Sequence, residues 1–373
     1  MTNNTALKKP LPDKSFTERL FSGSLVYTLL SVLIGFLIGA LALMAAGYDP
    51  LVAYESLFSV VFSSTKAMSY SFIEYATPYI LTGLSIAFSF KTGIFNIGAE
   101  GQYVMGSLAA LVVGLFCPLP SYLLVPLCLL SSIAAGILWG GLIGYLKVRF
   151  GSHEVLTMIM FNWIAYYFSN FIVNLQAVNA GDGKNWSLPI NEAASINISS
   201  WLPKNVLSRG AHFGIILAVI AAIVIYYVIN RTTLGFRLRA VGSNRHCAEY
   251  AGINADACVI ASLAISGALA ALAGGVQLMG VTHKINQFAA QECYGFNGIT
   301  VALIGGTHPI GVLFSGWFFG AMKYGGTRIR MLDGSRIPKE IIDIIMGCIV
   351  FSIASSNLLR ILVGKRKRKE SAT

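Results

Sequence analysis

One polar stretch that interrupts a long apolar region decides the fold of this 373-residue chain. Its sequence is Lys91-Thr92-Gly93-Ile94-Phe95-Asn96-Ile97-Gly98-Ala99-Glu100-Gly101-Gln102. Residues 75–90 before it and 103–146 after it contain no Asp, Glu, Lys or Arg. Long charge-free apolar runs are typical of membrane-spanning helices. Three glycines, a carboxylate and two carboxamides therefore lie between segments that we expect to cross a membrane.

The composition of the whole chain agrees with this interpretation. It is 55% apolar and 12% charged, with a mean hydropathy of +0.68, whereas soluble domains carry about 25% charged residues. Disorder would need low hydrophobicity and high charge. A soluble enzyme and a disordered chain are both excluded. The net charge of +11 does not indicate nucleic acid as a partner, because the basic residues lie at the ends of apolar runs and orient the chain there.

The pattern of apolar runs predicts an all-α polytopic membrane protein with about ten membrane-spanning helices, some of them short or broken. The predicted spans are 25–47, 71–90, 94–117, 121–146, 154–176, 211–230, 255–280, 296–306, 311–326 and 339–362. A glycine-rich sequence ending in Pro309 separates the two short spans.

The domain organisation follows from this pattern. An even number of spans places both termini on one side, and the basic residues of the 363–373 tail favour the cytoplasm for that side. Merging 296–326 into one span is the alternative, and it would place the basic tail outside. Residues 1–24 are then a cytoplasmic tail, and 25–362 form the transmembrane domain. The longest outer segment, 177–210, is large enough for a small cap or docking surface.

The polar stretch has two interpretations. Its glycines weaken a regular helix, and irregular backbone is tolerated in a bilayer only beside protein or a water-filled cavity. A carboxylate at that depth is costly, so we expect Glu100 to face the bundle interior. The stretch is either a broken helix that lines a substrate path or a polar packing cluster in which Glu100 bonds to a neighbouring helix.

A second candidate segment runs from Gly235 to Ile253, on the predicted inner side. Helix-forming residues from Asn244 to Tyr250 predict a short surface helix that ends at Gly252. This helix either docks into a partner protein or lies at the lipid headgroups as an amphipathic connector.

Two further features concern helix contacts. Asn162, deep in the fifth predicted span, either bonds to another helix or faces a cavity. Gly136, Gly140 and Gly144 recur every four residues, and small residues at this spacing predict close helix packing.

Sequence motifs for catalysis are missing. The chain has no Walker-type phosphate loop, no H-E-x-x-H and no G-x-S-x-G motif. We therefore expect no catalytic residues and no metal ligands, and the chain is not predicted to be an enzyme.

The sequence from Gly93 to Gln102 resembles the signature of the membrane permeases of ABC importers in the ribose/branched-chain superfamily. The resemblance is strongest to the nucleoside-type branch, the simple sugar/nucleoside importers. It extends to Glu154 with Asn162, to 235–253 and to 295–305. Cys247 and His153 depart from the family pattern, and this limits inference about the substrate.

This resemblance implies a division of labour between subunits. The chain would be one of two permeases in a pore, expected to form a heterodimer in the bacterial inner membrane. ATP and Mg²⁺ would bind a separate ABC ATPase, with no cofactor on this chain. An extracytoplasmic substrate-binding protein or lipoprotein would deliver the ligand.

We interpret the chain as a nucleoside permease. Six residues are predicted to lie along the substrate pathway: Phe95, Asn96, Glu100, Gln102, Tyr103 and Asn162. Five are predicted to form the contact with the ATPase: Gly235, Arg237, Arg239, Gly242 and Asn244. A simple-sugar (ribose-like) or amino-acid ABC importer remains an alternative. So does an ion-coupled secondary transporter with Glu100 as its ion or proton site.

Overall fold

The computed structural model describes residues 24–181, 183–198, 207, 210–328 and 339–354. Helices make up the secondary structure of this part of the chain, apart from three isolated backbone bridges. The predicted all-α class is therefore confirmed for the described residues. The predicted tails, apart from Ser24, lie outside them, as does the end of the last predicted span.

The described helices are numbered here in chain order. They are α1 (Ser24–Ala45), α2 (Pro50–Phe62), α3 (Thr65–Ser69), α4 (Ala76–Phe90), α5 (Ala99–Phe116), α6 (Ser121–Phe150), α7 (Glu154–Val173), α8 (Gly214–Arg231), α9 (Thr233–Ser243), α10 (Arg245–Tyr250), α11 (Ala255–Gln277), α12 (Tyr294–Ile304), α13 (Pro309–Arg328) and α14 (Lys339–Ala354). Two π-helical turns adjoin them: Tyr70–Tyr75 leads into α4, and Leu278–Thr282 extends α11.

The number of spans agrees only in part with the prediction of ten. Within the described residues, five helices are long and apolar enough to cross a membrane, namely α5, α6, α7, α8 and α11 with its extension. A sixth arises if α1 and α2, which meet at a bend of 118°, count as one span. The remaining predicted spans also contain helices, but these are shorter or less apolar. A polytopic helical membrane protein is confirmed, and the bend into α2 was not predicted.

The bundle has an interior and an outer layer. Every residue of α4 from Ala76 to Ser89 is buried. In α5 and α11, 67% and 61% of the most apolar window is buried, against 22–28% in α6, α7 and α8. The helices α4, α5 and α11 therefore form the interior. The outer layer exposes large apolar side chains such as Leu138 and Tyr167, as expected for a surface that faces lipid.

Small residues bring α6 and α11 together, as predicted. A methyl group added at Gly140 would overlap the carbonyl oxygen of Leu263, and one added at Gly136 would overlap that of Gly267. The helix backbones approach this closely because neither glycine has a side chain.

The segment from 177 to 198 covers one end of the bundle, which we call the cap end. Its backbone pairs with the segment from 283 to 293: the Ser187 nitrogen donates to the Ile285 oxygen at 2.9 Å, and the Gln287 nitrogen donates to the Asn185 oxygen at 2.7 Å. The described part of the predicted outer segment thus forms a cap. The helices α9 and α10 lie at the opposite end, which we call the α9 end.

Candidate functional site

The predicted break in the polar stretch is present between α4 and α5. The helix α4 ends in a turn in which Gly93 has a φ of +76° and the Ile94 nitrogen donates to the Ser89 oxygen at 3.2 Å. A left-handed glycine with this long-range bond is a common helix C-terminus. The chain then returns into the bundle before α5 begins at Ala99.

Asn96 and Gln102 bond to each other inside the bundle, and both side chains are fully buried. The Asn96 Nδ2 donates to the Gln102 Oε1 at 2.9 Å and to the Ser266 Oγ at 2.6 Å. The Ser266 Oγ in turn donates to the Ser85 carbonyl oxygen at 2.8 Å. This network joins the break to α4 and α11.

Glu100 caps the N-terminus of α12 from within the bundle. Its Oε1 accepts from the Cys293 nitrogen at 2.7 Å, and its Oε2 accepts from the Gly295 nitrogen at 2.6 Å. The side chain is 1% exposed. Free backbone N–H groups and the helix dipole stabilise an anion at a helix N-terminus. The expectation that Glu100 faces the interior is therefore confirmed.

The helix α12 is too short to cross the bundle. Its 11 residues span about 16 Å, roughly half of the ~30 Å hydrocarbon thickness. It begins beside Glu100 and leads to the turn at Thr307, whose Oγ1 accepts from the Lys91 Nζ at 3.2 Å. The segment 283–293 must therefore descend from the cap end into the bundle to reach it. A half-helix whose N-terminus lies inside a membrane bundle is typical of transporters.

Asn162 holds the other side of the break. Its Oδ1 accepts from the Gly101 nitrogen at 2.8 Å, and its Nδ2 donates to the Ile97 oxygen at 3.1 Å. Both partners are backbone groups of the polar stretch, and Asn162 is 2% exposed. The bond to another element, one of the two predicted roles for this residue, is present.

The two aromatic residues predicted for the pathway lie apart from this network. The half-buried ring of Phe95 lies 5.3 Å from that of Phe90. Tyr103 is buried and stacks on Tyr294, with ring centroids 4.9 Å apart. Whether any of the six pathway residues contacts a substrate stays a prediction. The described hydrogen bonds of the polar ones lie within the protein, but the Asn96 Oδ1 and the Gln102 Nε2 have no hydrogen-bond partner in the described part of the chain.

Tyr103 lines a cavity of about 30 Å³ on the cap side of the break. We call it the cap-side cavity; its lining includes Tyr103, Ser107, Gln277, Asn286, Phe288 and Glu292. Of these six residues, sequence reasoning singled out only Tyr103. The sequence did contain a signal for two of the others. Gln277 is a polar residue within the charge-free run 257–282, and Glu292 lies in the polar segment between that run and the next charge-free run, 293–322.

The predicted coupling residues lie together at the α9 end. Arg237, Arg239 and Asn244 are exposed, whereas Gly235 is buried. The Asn244 side chain caps α10 by accepting from the Cys247 nitrogen at 3.0 Å. The predicted surface helix up to Tyr250 is therefore present, and α9, a second helix before it, was not predicted.

The coupling segment contacts the break. A methyl group added at Gly242 would overlap the Lys91 carbonyl oxygen and lie 3.0 Å from the Gly93 nitrogen. Burial, and after it the positive charge of Arg239, lower the pKa of Lys91. The two segments that the sequence singled out separately are thus neighbours. Within the described residues, no group of three or more His, Cys, Asp or Glu side chains is placed to hold a metal ion.

The fold and this site define a class of protein. An apolar helical bundle that keeps irregular backbone, carboxamides and a half-helix N-terminus in its interior has the features of a membrane transporter.

Comparison with known proteins identifies the family. The model of the branched-chain amino acid transport system permease component matches residues 68–354, and the chain belongs to this family. The chain is therefore a permease component of a transport system.

Three relatives are similar over most of their length. The guanosine ABC transporter permease protein NupP of Bacillus subtilis is 38% identical, over 92% of this chain and 97% of the relative. The nucleoside ABC transporter permease protein NupB of Lactococcus lactis is 33% identical, over 91% and 93%. The glucose ABC transporter permease protein TsgB13 of Haloferax volcanii is 30% identical, over 89% and 87%. No solved structure matches the chain.

Proposed function

We propose that this chain is the membrane-spanning permease subunit of a bacterial ABC importer for nucleosides. The observation that carries the proposal is its similarity to the guanosine and nucleoside permeases at 38% and 33% identity over more than nine-tenths of the chain. The glucose permease is less similar, at 30%. A simple sugar is therefore the second candidate substrate.

The proposal includes a full set of partners. A separate ABC ATPase binds ATP and Mg²⁺, and the exposed coupling segment at the α9 end docks into it. A second permease chain, different from this one, completes the pore, and an extracytoplasmic binding protein delivers the nucleoside to the cap end.

The orientation is part of the same proposal. Ten spans in the inner membrane place both termini and α9–α10 in the cytoplasm, and place the segment 177–198 outside. The shorter helices α4, α12, α13 and α14 then complete the spans. Short helices are compatible with a membrane position where neighbouring protein covers their ends.

The capping geometry favours an ATP-driven importer over an ion-coupled transporter. Both oxygens of Glu100 accept backbone N–H groups, so the carboxylate already has a structural role at the start of α12. A coupling ion would have to displace these bonds.

Radiolabelled uptake tests the function. We expect uridine and adenosine uptake in cells that contain the intact system, and its loss both without this chain and with an inactivated partner ATPase. Unlabelled nucleosides should compete, whereas ribose and glucose should not. Uptake that survives loss of the ATPase but falls with an uncoupler would contradict the proposal. Competition by sugar alone would support the second candidate.

A further inference from the structure

One residue that lines the cap-side cavity has a buried hydrogen-bond acceptor without a partner. Gln277 is 7% exposed. Its Nε2 reaches the Tyr294 hydroxyl at 3.5 Å, while its Oε1 has no hydrogen-bond partner in the described part of the chain. An unpaired buried acceptor is costly. A polar group that enters the cavity would pair with this amide oxygen.

A rigid aromatic side chain forms another wall of the cavity. Phe288 lies in the segment 283–293, and α7 holds its backbone at both ends: its nitrogen donates to the Asn170 Oδ1 at 2.8 Å, and its oxygen accepts from the Tyr166 hydroxyl at 2.7 Å. Its ring stacks on that of Tyr166 at 6.1 Å. Tyr103 contributes a second aromatic ring to the lining. Aromatic faces suit a flat heterocyclic ring.

The lining of the cavity also includes a carboxylate. Glu292 lines the same cavity, and none of the ion pairs between described residues involves it. The lining also includes a cation, Lys284, which lies over the Trp186 ring with its Nζ 4.5 Å from the centroid. The Glu292 side chain already has a hydrogen bond with that of Tyr103, and the remaining lone pairs of the carboxylate can accept from further hydroxyl groups.

We propose that the cap-side cavity is the entry site for the nucleoside. Phe288 and Tyr103 contact the base, the Gln277 Oε1 accepts from the edge of the base, and Glu292 accepts from the ribose hydroxyls. This assignment rests on the proposed function. At about 30 Å³ the cavity has room for one or two waters, so the structure represents the closed form of the site. Entry requires residues 283–291 to move away from α5, while the bond to Glu100 keeps Cys293 in place.

The variant Glu292→Gln tests the ribose contact. In cells with the complete system, radiolabelled uridine uptake is measured against unlabelled uridine and 2′,3′-dideoxyuridine, which lacks the ribose diol. The wild type should prefer uridine. In E292Q, the uridine concentration for half-maximal uptake should rise about tenfold, the scale of a lost hydrogen bond to a charged group, and the two competitors should become nearly equal.

The matched control is Glu192→Gln, which makes the same change at an exposed position on the cap and should behave as the wild type. A second variant, Phe288→Leu, should weaken both competitors to a similar extent, because stacking involves the base that they share.

Several outcomes would overturn the assignment. One is an unchanged preference for uridine in E292Q; another is an equal loss for both competitors with normal amounts of the variant in the membrane. If E292Q does not accumulate in the membrane, the variant Gln277→Met replaces it in the test. An unchanged uridine concentration for half-maximal uptake overturns the assignment, and an increased concentration supports it. Absence of uridine uptake in wild-type cells is a different failure, because it contradicts the proposed function itself.

Discussion

Gly242, at the end of α9, packs directly against the backbone carbonyl of Lys91, at the end of α4. No side chain separates the two backbones, since even a methyl group at Gly242 would overlap the carbonyl oxygen. Lys91 belongs to the break, and Gly242 belongs to the exposed segment proposed to dock into the ATPase. A displacement of that segment therefore reaches the break by direct contact of the two backbones.

This contact predicts the effect of Gly242→Ala. The added methyl group must push α9 away from Lys91, so nucleoside uptake should fall by an order of magnitude or more while the ATPase still copurifies with the permease. The control is Ser243→Ala, a change at the next, exposed position, which should leave uptake intact. Normal uptake by G242A would show that this contact does not transmit motion.

The exposed arginines of α9 give a second prediction. Reversing both charges, in the double variant Arg237→Glu and Arg239→Glu, should abolish copurification of the ATPase, because both side chains are exposed on the proposed docking surface. The amount of ATPase recovered with a tagged permease measures this. Arg149→Glu reverses an exposed charge at the end of α6 and should retain the ATPase. Equal recovery from all three proteins would contradict the docking role.

The cap on α12 predicts a loss of stability in Glu100→Gln. In the wild type, two backbone N–H groups each donate to one carboxylate oxygen of Glu100. The amide of glutamine has only one oxygen, so one of these N–H groups loses its acceptor, and losing such a charged hydrogen bond costs roughly 1.5–3 kcal/mol. Thermal unfolding in detergent should show a lower midpoint than in the wild type. Glu55→Gln, at an exposed position of α2, should leave the midpoint unchanged. A normal midpoint for E100Q combined with lost uptake would instead indicate an ion-binding carboxylate.

Two adjacent glycines of α6 form a matched pair for helix packing. A methyl group at Gly140 would overlap the Leu263 oxygen, whereas one at Gly141 would have its nearest neighbour 3.8 Å away. Gly140→Ala should therefore lower the midpoint of thermal unfolding, and Gly141→Ala should preserve or slightly raise it, because alanine favours a helix by roughly 1 kcal/mol over glycine. Equal midpoints would mean that α6 and α11 pack less closely than described.

Apolar length and glycine content sufficed to predict much of this fold. Charge-free runs located the long helices because a membrane requires about 20 apolar residues per span, and the glycines at 93 and 98 located the break. The bend between α1 and α2 was missed, since Asp49 and Pro50 form a helix N-terminus within a sequence that had no separate apolar run of sufficient length.

The candidate site was harder to predict because its partners are distant in sequence. Glu100 was expected inside the bundle from the cost of exposing a charge to lipid, but nothing local indicated that its partners are backbone groups almost 200 residues away. The role of Gln277 depends on where the segment 283–293 enters the bundle, and its composition does not reveal that path.

The placement of Glu100 has a mechanical consequence. A half-helix tied at its first turn to a buried carboxylate resists tilting, because any tilt separates a negative charge from the backbone N–H groups that donate to it. The centre of this permease then behaves as a fixed pivot, and rearrangement occurs at the two ends: residues 283–291 on one side, and the contact between Gly242 and Lys91 on the other. Two gates on either side of a fixed pivot need not open together, and an importer that is never open to both sides at once requires that separation.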